Sequence, residues 1–173
     1  MIPFAFYTPG NLQDRELELV LDQMQDAQTS LWHVPAYLFH MRHRATGTRV
    51  GHINLRIGNT DKILLYTGHI GYGVDPAFRG NHYAERACRL LLPLAFQHGL
   101  TELWITCAPD NLASRKTIER LGAKFIETVD VPDDYPLPEG VIRQKTRFRI
   151  QLPAQVAHRD IHRMAVPIPM LNR

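Results

Sequence analysis

The sequence predicts an α+β domain built on a mixed sheet with helices on its faces. Two observations point there. Several alternating apolar segments follow one another before the first crossover, and two helical segments then alternate with further strands. That order excludes a doubly wound parallel sheet. With 173 residues, 45% of them hydrophobic and 21% charged, the chain has the length and balance of one globular domain with a sizeable core.

The first element expected is a helix in "PGNLQDRELELVLDQMQDA". Pro9-Gly10 precedes a capping Asn11, Asp14 and Glu16 stand in the first turn, and Leu17, Val20, Leu21 and Met24 share one helical face. Two strands follow around the turn "ATGT", with Tyr37, Phe39 and Met41 alternating in the first and Ile53, Leu55 and Ile57 in the second. "ILLYTGHIGYGV" reads as a third strand interrupted by Gly68, Gly71 and Gly73, glycines that mark a bulge or the close approach of another backbone or a ligand.

From His82 apolar residues recur at Ala84, Ala87, Cys88, Leu91, Leu94 and Ala95, which is helical spacing. Pro93 removes a hydrogen bond from that helix and is expected to kink it. "ELWITC" is a short strand. "PDNLASRKTIERLGAKF" is a second helix, capped by Asp110 or Asn111 and stopped near Gly122. "KFIETVDV" and "VIRQKTRFRIQL" form a closing pair of strands. Residues 1–152 make the domain, and residues 153–173, broken by prolines, form a tail packed on it or on a partner; the apolar Met164–Leu171 could build a homodimer.

Several function classes fall away on composition. No apolar run reaches about 18 residues, so no membrane helix is expected. The N-terminus lacks the basic start and apolar middle of a signal peptide. Cys88 and Cys107 read as small buried residues, which suits a reducing, cytoplasmic compartment. His40 with His43 and His158 with His162 have suggestive spacings, yet no carboxylate or thiol set completes a metal site, and no metal is expected. A net charge of +3 admits an anionic partner, but no aromatic or Lys/Arg-rich motif supports nucleic acid.

The anion site is more specific. "DPAFRGNHYAERA" runs a basic, flexible turn into a helix N-terminus, where unpaired N–H groups and the helix dipole favour a phosphate. Gly80 and the first helical turn can offer converging N–H donors, and Arg79 adds a permanent charge.

The succession "HIGYGVDPAFRGNHYAERACRLLL" then "ITCAPDNLASRKTIERLGAKF" resembles the acyl-CoA-binding core of the GNAT superfamily of N-acetyltransferases, and most of all the branch of ribosomal-protein N-terminal acetyltransferases. The resemblance covers residues 70–125, and the element order agrees over about 36–152. It implies a mostly antiparallel central sheet of about six to seven strands with helices on both faces. It also implies acetyl-CoA as co-substrate and a small-molecule or peptide amine as acceptor. In the family a Q/R-x-x-G-x-G/A turn wraps the pyrophosphate; the matching positions are Arg79, His82 and Ala84, so a histidine replaces the first glycine. Cofactor binding is thereby expected at Gly73, Val74, Arg79, Gly80, Asn81, His82, Tyr83 and Ala84, and at Asn111 and Ser114 near the thioester.

Acetyl transfer to an amine needs a base, an oxyanion donor and an acid for the leaving thiolate. A backbone N–H near Val74 is the expected oxyanion donor. Many relatives carry an acidic tyrosine on the second helix, where this chain has Ile118, so Ser114 becomes the proton donor beside Asn111. His69 stands near the place of the relatives' basic glutamate, and the resemblance implies it as the base. Tyr72 is a substrate-contact or core residue. The acidic group Glu127, Asp130, Asp133 and Asp134 lies where relatives close over the acceptor and could attract a cationic amine. Two other readings stay open: a catalytically silent acyl-CoA-binding module, and a basic nucleic-acid-associated domain using Arg79, Arg86, Arg89 and the tail.

Overall fold

A computed structural model describes residues 4–135, 137 and 139–152. The expected tail, with His158, His162 and Met164–Leu171, lies outside them. Seven strands and two long helices run in the order β1 (Leu17–Gln25), β2 (Ala36–His43), β3 (Arg49–Arg56), β4 (Ile70–Val74), α1 (Tyr83–Gln97), β5 (Glu102–Cys107), α2 (Leu112–Arg120), β6 (Lys124–Asp130) and β7 (Gln144–Gln151). They form two sheets, β1-β2-β3-β4 and β5-β7-β6, and every ladder within them is antiparallel.

Most expected periods are realised. Tyr37, Phe39 and Met41 of β2 and Ile53 and Leu55 of β3 are buried, as are the predicted apolar residues of α1. α1 lies against β1, β3 and β4, and α2 against β5. Pro93 does not end α1, which runs fifteen residues through it. Leu94 and Ala95 beyond it are fully buried. Burying one leucine contributes roughly 1.5–3 kcal/mol, enough to offset a lost bond of about 3 kcal/mol together with its neighbours.

Two expectations are corrected. The segment 17–25 is a strand, not a helix. Leu17 and Leu19 are buried on either side of Glu18, a period of two that the sequence carries alongside the helical one, and the ladder runs from Leu17↔His43 to Gln25↔Ala36. Asp14 does not serve a helix start. Its carboxylate takes two bonds from Arg86 of α1 (2.6 and 2.7 Å), while Glu16 takes a third (2.7 Å), tying the chain before β1 to α1. The third strand is also shorter than expected. Lys62–Thr67 form a π-helical turn closed by Gly68 (φ 74°), and β4 begins only at Ile70.

Candidate active site

β4 and β5 touch at one end and then part. At the joint the main-chain N–H of His69 donates to the carbonyl of Trp104 (2.6 Å), and the Trp104 N–H donates to Nδ1 of the His69 ring (2.9 Å). The imidazole thus stands where a strand carbonyl would. Its Nε2 donates to Oδ1 of Asn59 (3.0 Å), which fixes the neutral tautomer. Gly68 makes the approach feasible, since a Cβ there would lie 2.9 Å from the Trp104 carbonyl oxygen.

His69 is 0% exposed, and burial lowers its pKa from the ordinary 6.5 to about 4. This corrects its expected role as base. Both ring nitrogens are occupied, the ring does not reach the cleft, and its work is to pin the two sheets together.

Beyond that pin no ladder joins β4 to β5 among the described residues. Asp75 N–H bonds Val50 and Arg56 N–H bonds the His69 carbonyl. Antiparallel alternation therefore turns Gly71 and Gly73 toward β3 and the N–H groups of Tyr72 and Val74 into the opening. The expected oxyanion donor at Val74 has that orientation.

On the helix side of β4, the Tyr72 hydroxyl lies 2.9 Å from the Ser114 hydroxyl. Ser114 is set there by the start of α2, where Asn111 Oδ1 accepts the Ser114 N–H at 3.0 Å. Asn111 is thus a helix cap, its side-chain oxygen committed to Ser114. Burial pushes the Tyr72 phenol up, so it stays protonated. Burial likewise raises the Cys107 thiol at the end of β5. Ile118, in the place of the relatives' tyrosine, is fully buried core. Tyr72 brings a phenol to the cleft from the opposite wall, which the sequence left between core and substrate contact.

The turn after β4, expected from its sequence as an anion site, is built on its own local bonds. Pro76–Phe78 form a 3-10 turn, Asn81 Nδ2 closes it on the Phe78 carbonyl (3.1 Å), and Arg79 Nε reaches back to the Val74 carbonyl (3.3 Å). Gly80 has φ 89°, and a Cβ there would meet nothing within 4 Å. His82 takes φ 56°, ψ 22°, the left-handed conformation that glycine favours, which is how a histidine occupies a glycine's place. No side chain caps α1, so the amides of its first turn are free to receive an anion. The Tyr83 and Ala84 side chains point into the core.

Three of the four acidic residues considered for the acceptor have partners. Glu127 pairs with Arg147, Asp130 accepts from Gln144 (2.9 Å) and Asp133 faces Arg143 (3.4 Å). On the basic side, Arg86 is held by Asp14 and Glu16 and Arg89 by Glu85 (3.0 Å), so two of the three arginines considered for nucleic acid are already paired. Arg56 is the opposite case. It is 6% exposed, donates to the Thr67 and Gly68 carbonyls (2.9 and 2.8 Å), stacks on Trp32 (4.3 Å), and has no acidic partner among the described residues.

The acetyltransferase (GNAT) domain family matches residues 4–124, well over half of the chain. No curated protein matches it. Among solved structures, a candidate ribosomal-protein-serine acetyltransferase from Vibrio cholerae superposes with a TM-score of 0.58 at 19% identity, covering 82% of this chain and 97% of the other. RimL, a ribosomal L7/L12 alpha-N-protein acetyltransferase solved with coenzyme A, gives 0.61 at 14% identity, covering 82% and 98%. RimJ of Mycobacterium smegmatis, solved with a CoA-disulfide, gives 0.55 at 23% identity, covering 75% and 61%. At such identities these likenesses speak for the fold alone.

Proposed function

The chain belongs to the GNAT acetyltransferase family, with acetyl-CoA as its co-substrate, and on that premise we propose that it transfers the acetyl group directly to a primary amine through a tetrahedral intermediate. The observation that carries this reading is the opening between β4 and β5, which leads to the uncapped first turn of α1.

Arg79, Gly80 and Asn81, with the amides of His82, Tyr83 and Ala84, hold the pyrophosphate. The pantetheine arm lies along β4 beside Gly73, against the inward N–H groups of Tyr72 and Val74, in the manner of an added strand. The thioester carbonyl accepts from Val74 N–H, which favours the oxyanion as it forms. As the amine nitrogen bonds to the carbonyl carbon and the C–S bond breaks, the amine's proton passes in the end to solvent and the thiolate takes the Ser114 proton, which Tyr72 replaces by relaying one from solvent, so that the phenol itself stays neutral. Asn111 acts through α2, by holding Ser114 in position.

Several of the structural neighbours are described as ribosomal-protein acetyltransferases, so a peptide with a free N-terminus stands first among acceptors to try. We place the protein in the cytoplasm, which suits its two free, buried cysteines. Among the described residues no helix is long and apolar enough to cross a membrane.

The test is release of free thiol from acetyl-CoA against a panel of amines: a short peptide, an α-amino acid amide, a polyamine and an amino sugar. Amine-dependent release with at least one class is expected. Acetyl-CoA binding without such release for any amine would contradict the proposal and leave a silent binding module.

A further inference from the structure

Gly71 and Gly73 face away from the helices, on the side of β4 opposite Tyr72. β3 side chains lie in the space their missing Cβ atoms leave. A Cβ on Gly73 would stand 2.5 Å from Cε1 of His52 and 3.1 Å from its Nε2. A Cβ on Gly71 would stand 2.5 Å from a guanidinium nitrogen of Arg56 and 3.1 Å from Oδ1 of Asn54. His52 pairs with Gly73 and Asn54 with Gly71 in the ladder, so both side chains lie over β4, whose far edge borders the opening. His52 is exposed. The Asn54 oxygen is buried without a hydrogen-bond partner, an orphan acceptor that an incoming N–H would satisfy.

A thioester held along the free edge of β4 would have different chemistry on its two sides. The hydroxyls of Tyr72 and Ser114 stand on the helix side, where the leaving sulfur needs a proton. On the other side stand an accessible imidazole and an unpartnered amide oxygen. We infer that the acceptor amine docks on this outer face, gives one N–H to Asn54 Oδ1, and loses a proton to His52 as it attacks. The inference rests on the acetyl-transfer reading above. The C–N bond forms, the C–S bond breaks, the amine proton goes to the imidazole and then to solvent, and the thiolate is protonated from Ser114. Imidazole is the side chain suited to that exchange near neutral pH.

The charged groups sharing this face bear on its pH dependence. His40 lies directly opposite His52 on β2 and contacts Asp22 (2.6 Å); Arg42 is paired with Glu18 (2.8 Å); the Arg56 guanidinium lies over Gly71 beside Asn54. Gly71 and Gly73 bring no charge from β4.

The experiment is kcat/KM against pH for the parent, His52→Gln and Gly73→Ala, using whichever amine the thiol-release panel identifies. Replacing an exposed histidine leaves the core intact, and Gly73→Ala displaces the ring without removing it, because the new Cβ would overlap its edge. For His52→Gln a loss of about 10²-fold or more is expected. The acidic limb of the parent's profile should disappear with it, while thermal stabilisation by acetyl-CoA persists. Gly73→Ala should lose activity in the same direction. His52→Gln within threefold of the parent, with the same pH profile, overturns the inference and leaves acetyl transfer standing. If the parent releases no thiol with any amine, the acetyl-transfer reading fails first and this inference falls with it.

Discussion

Tyr72 Oη on β4 and Ser114 Oγ on α2 stand 2.9 Å apart, so two hydroxyls from opposite walls of the cleft meet at the side where a thiolate would leave. In the proposed mechanism the pair stands in, from a strand, for the acid expected on the second helix. Ser114→Ala should lower kcat about 10²-fold with acetyl-CoA binding retained. Tyr72→Phe should lower it less, and the double variant should match Ser114→Ala alone, since the phenol acts through the serine. Steady-state thiol release gives all three values, and fully additive losses would contradict a relay.

The pinned histidine makes stability depend on pH. His69 is held neutral in the fold, with a pKa of about 4 against an ordinary 6.5; burial does the same to His98, also to about 4. Below 6.5 the unfolded chain takes protons that the folded chain refuses until about 4, so stability should fall as pH drops through that window. His69 alone accounts for roughly 3 kcal/mol at the low end. Unfolding by denaturant at a series of pH values measures it, and a profile flat from 6.5 to 4 would contradict the buried neutral ring.

His82 sits in a glycine's conformation, which costs a side-chain-bearing residue about 1–2 kcal/mol. His82→Gly should therefore stay within about 1 kcal/mol of the parent, relief of strain offsetting glycine's greater unfolded freedom. His82→Val should lose at least that strain again and weaken acetyl-CoA binding. Thermal unfolding with and without acetyl-CoA reads both effects.

Arg56 is a buried cation without an acidic partner among the described residues, two positions from Asn54 on the face assigned to the acceptor. A second positive charge on the acceptor would meet it in a partly desolvated setting. Polyamines should therefore be poorer acceptors than amines carrying a neighbouring carbonyl or carboxylate, by kcat/KM compared at equal pH. Equal or better use of polyamines would show that Arg56 does not set the charge preference.

Segments with a single clear period were legible in the sequence. β2, β3, α1, α2 and the closing strands stand where their patterns put them. Residues 17–24 carried two periods, and only the open edge of β2, a long-range partner, decides between them. Residues 62–67 continued an apolar run into what becomes a tight turn, because Gly68 must pass close to β5. Of the segments assigned to the site, the turn 79–84 and the helix start at Asn111–Ser114 were legible as local structure, because each is local in sequence. Tyr72 was left between core and substrate contact, and His52 and Asn54 were not read as chemistry, since their place depends on strand register and on the face each shares. His69 was misread for the same reason: its position on the chain says nothing of Trp104 across the joint.

The most direct test of the central claim is thermal unfolding of the parent and of Gly80→Asp across an acetyl-CoA titration. Gly80 lies in the turn at φ 89° with open space beside it, so aspartate adds charge and strain at the proposed pyrophosphate site. At about 100 times its Kd the ligand should stabilise the parent by roughly 2.7 kcal/mol, a rise of a few degrees, and should leave the folded variant unmoved. No shift in the parent, or an equal shift in both, would contradict acetyl-CoA binding at this turn.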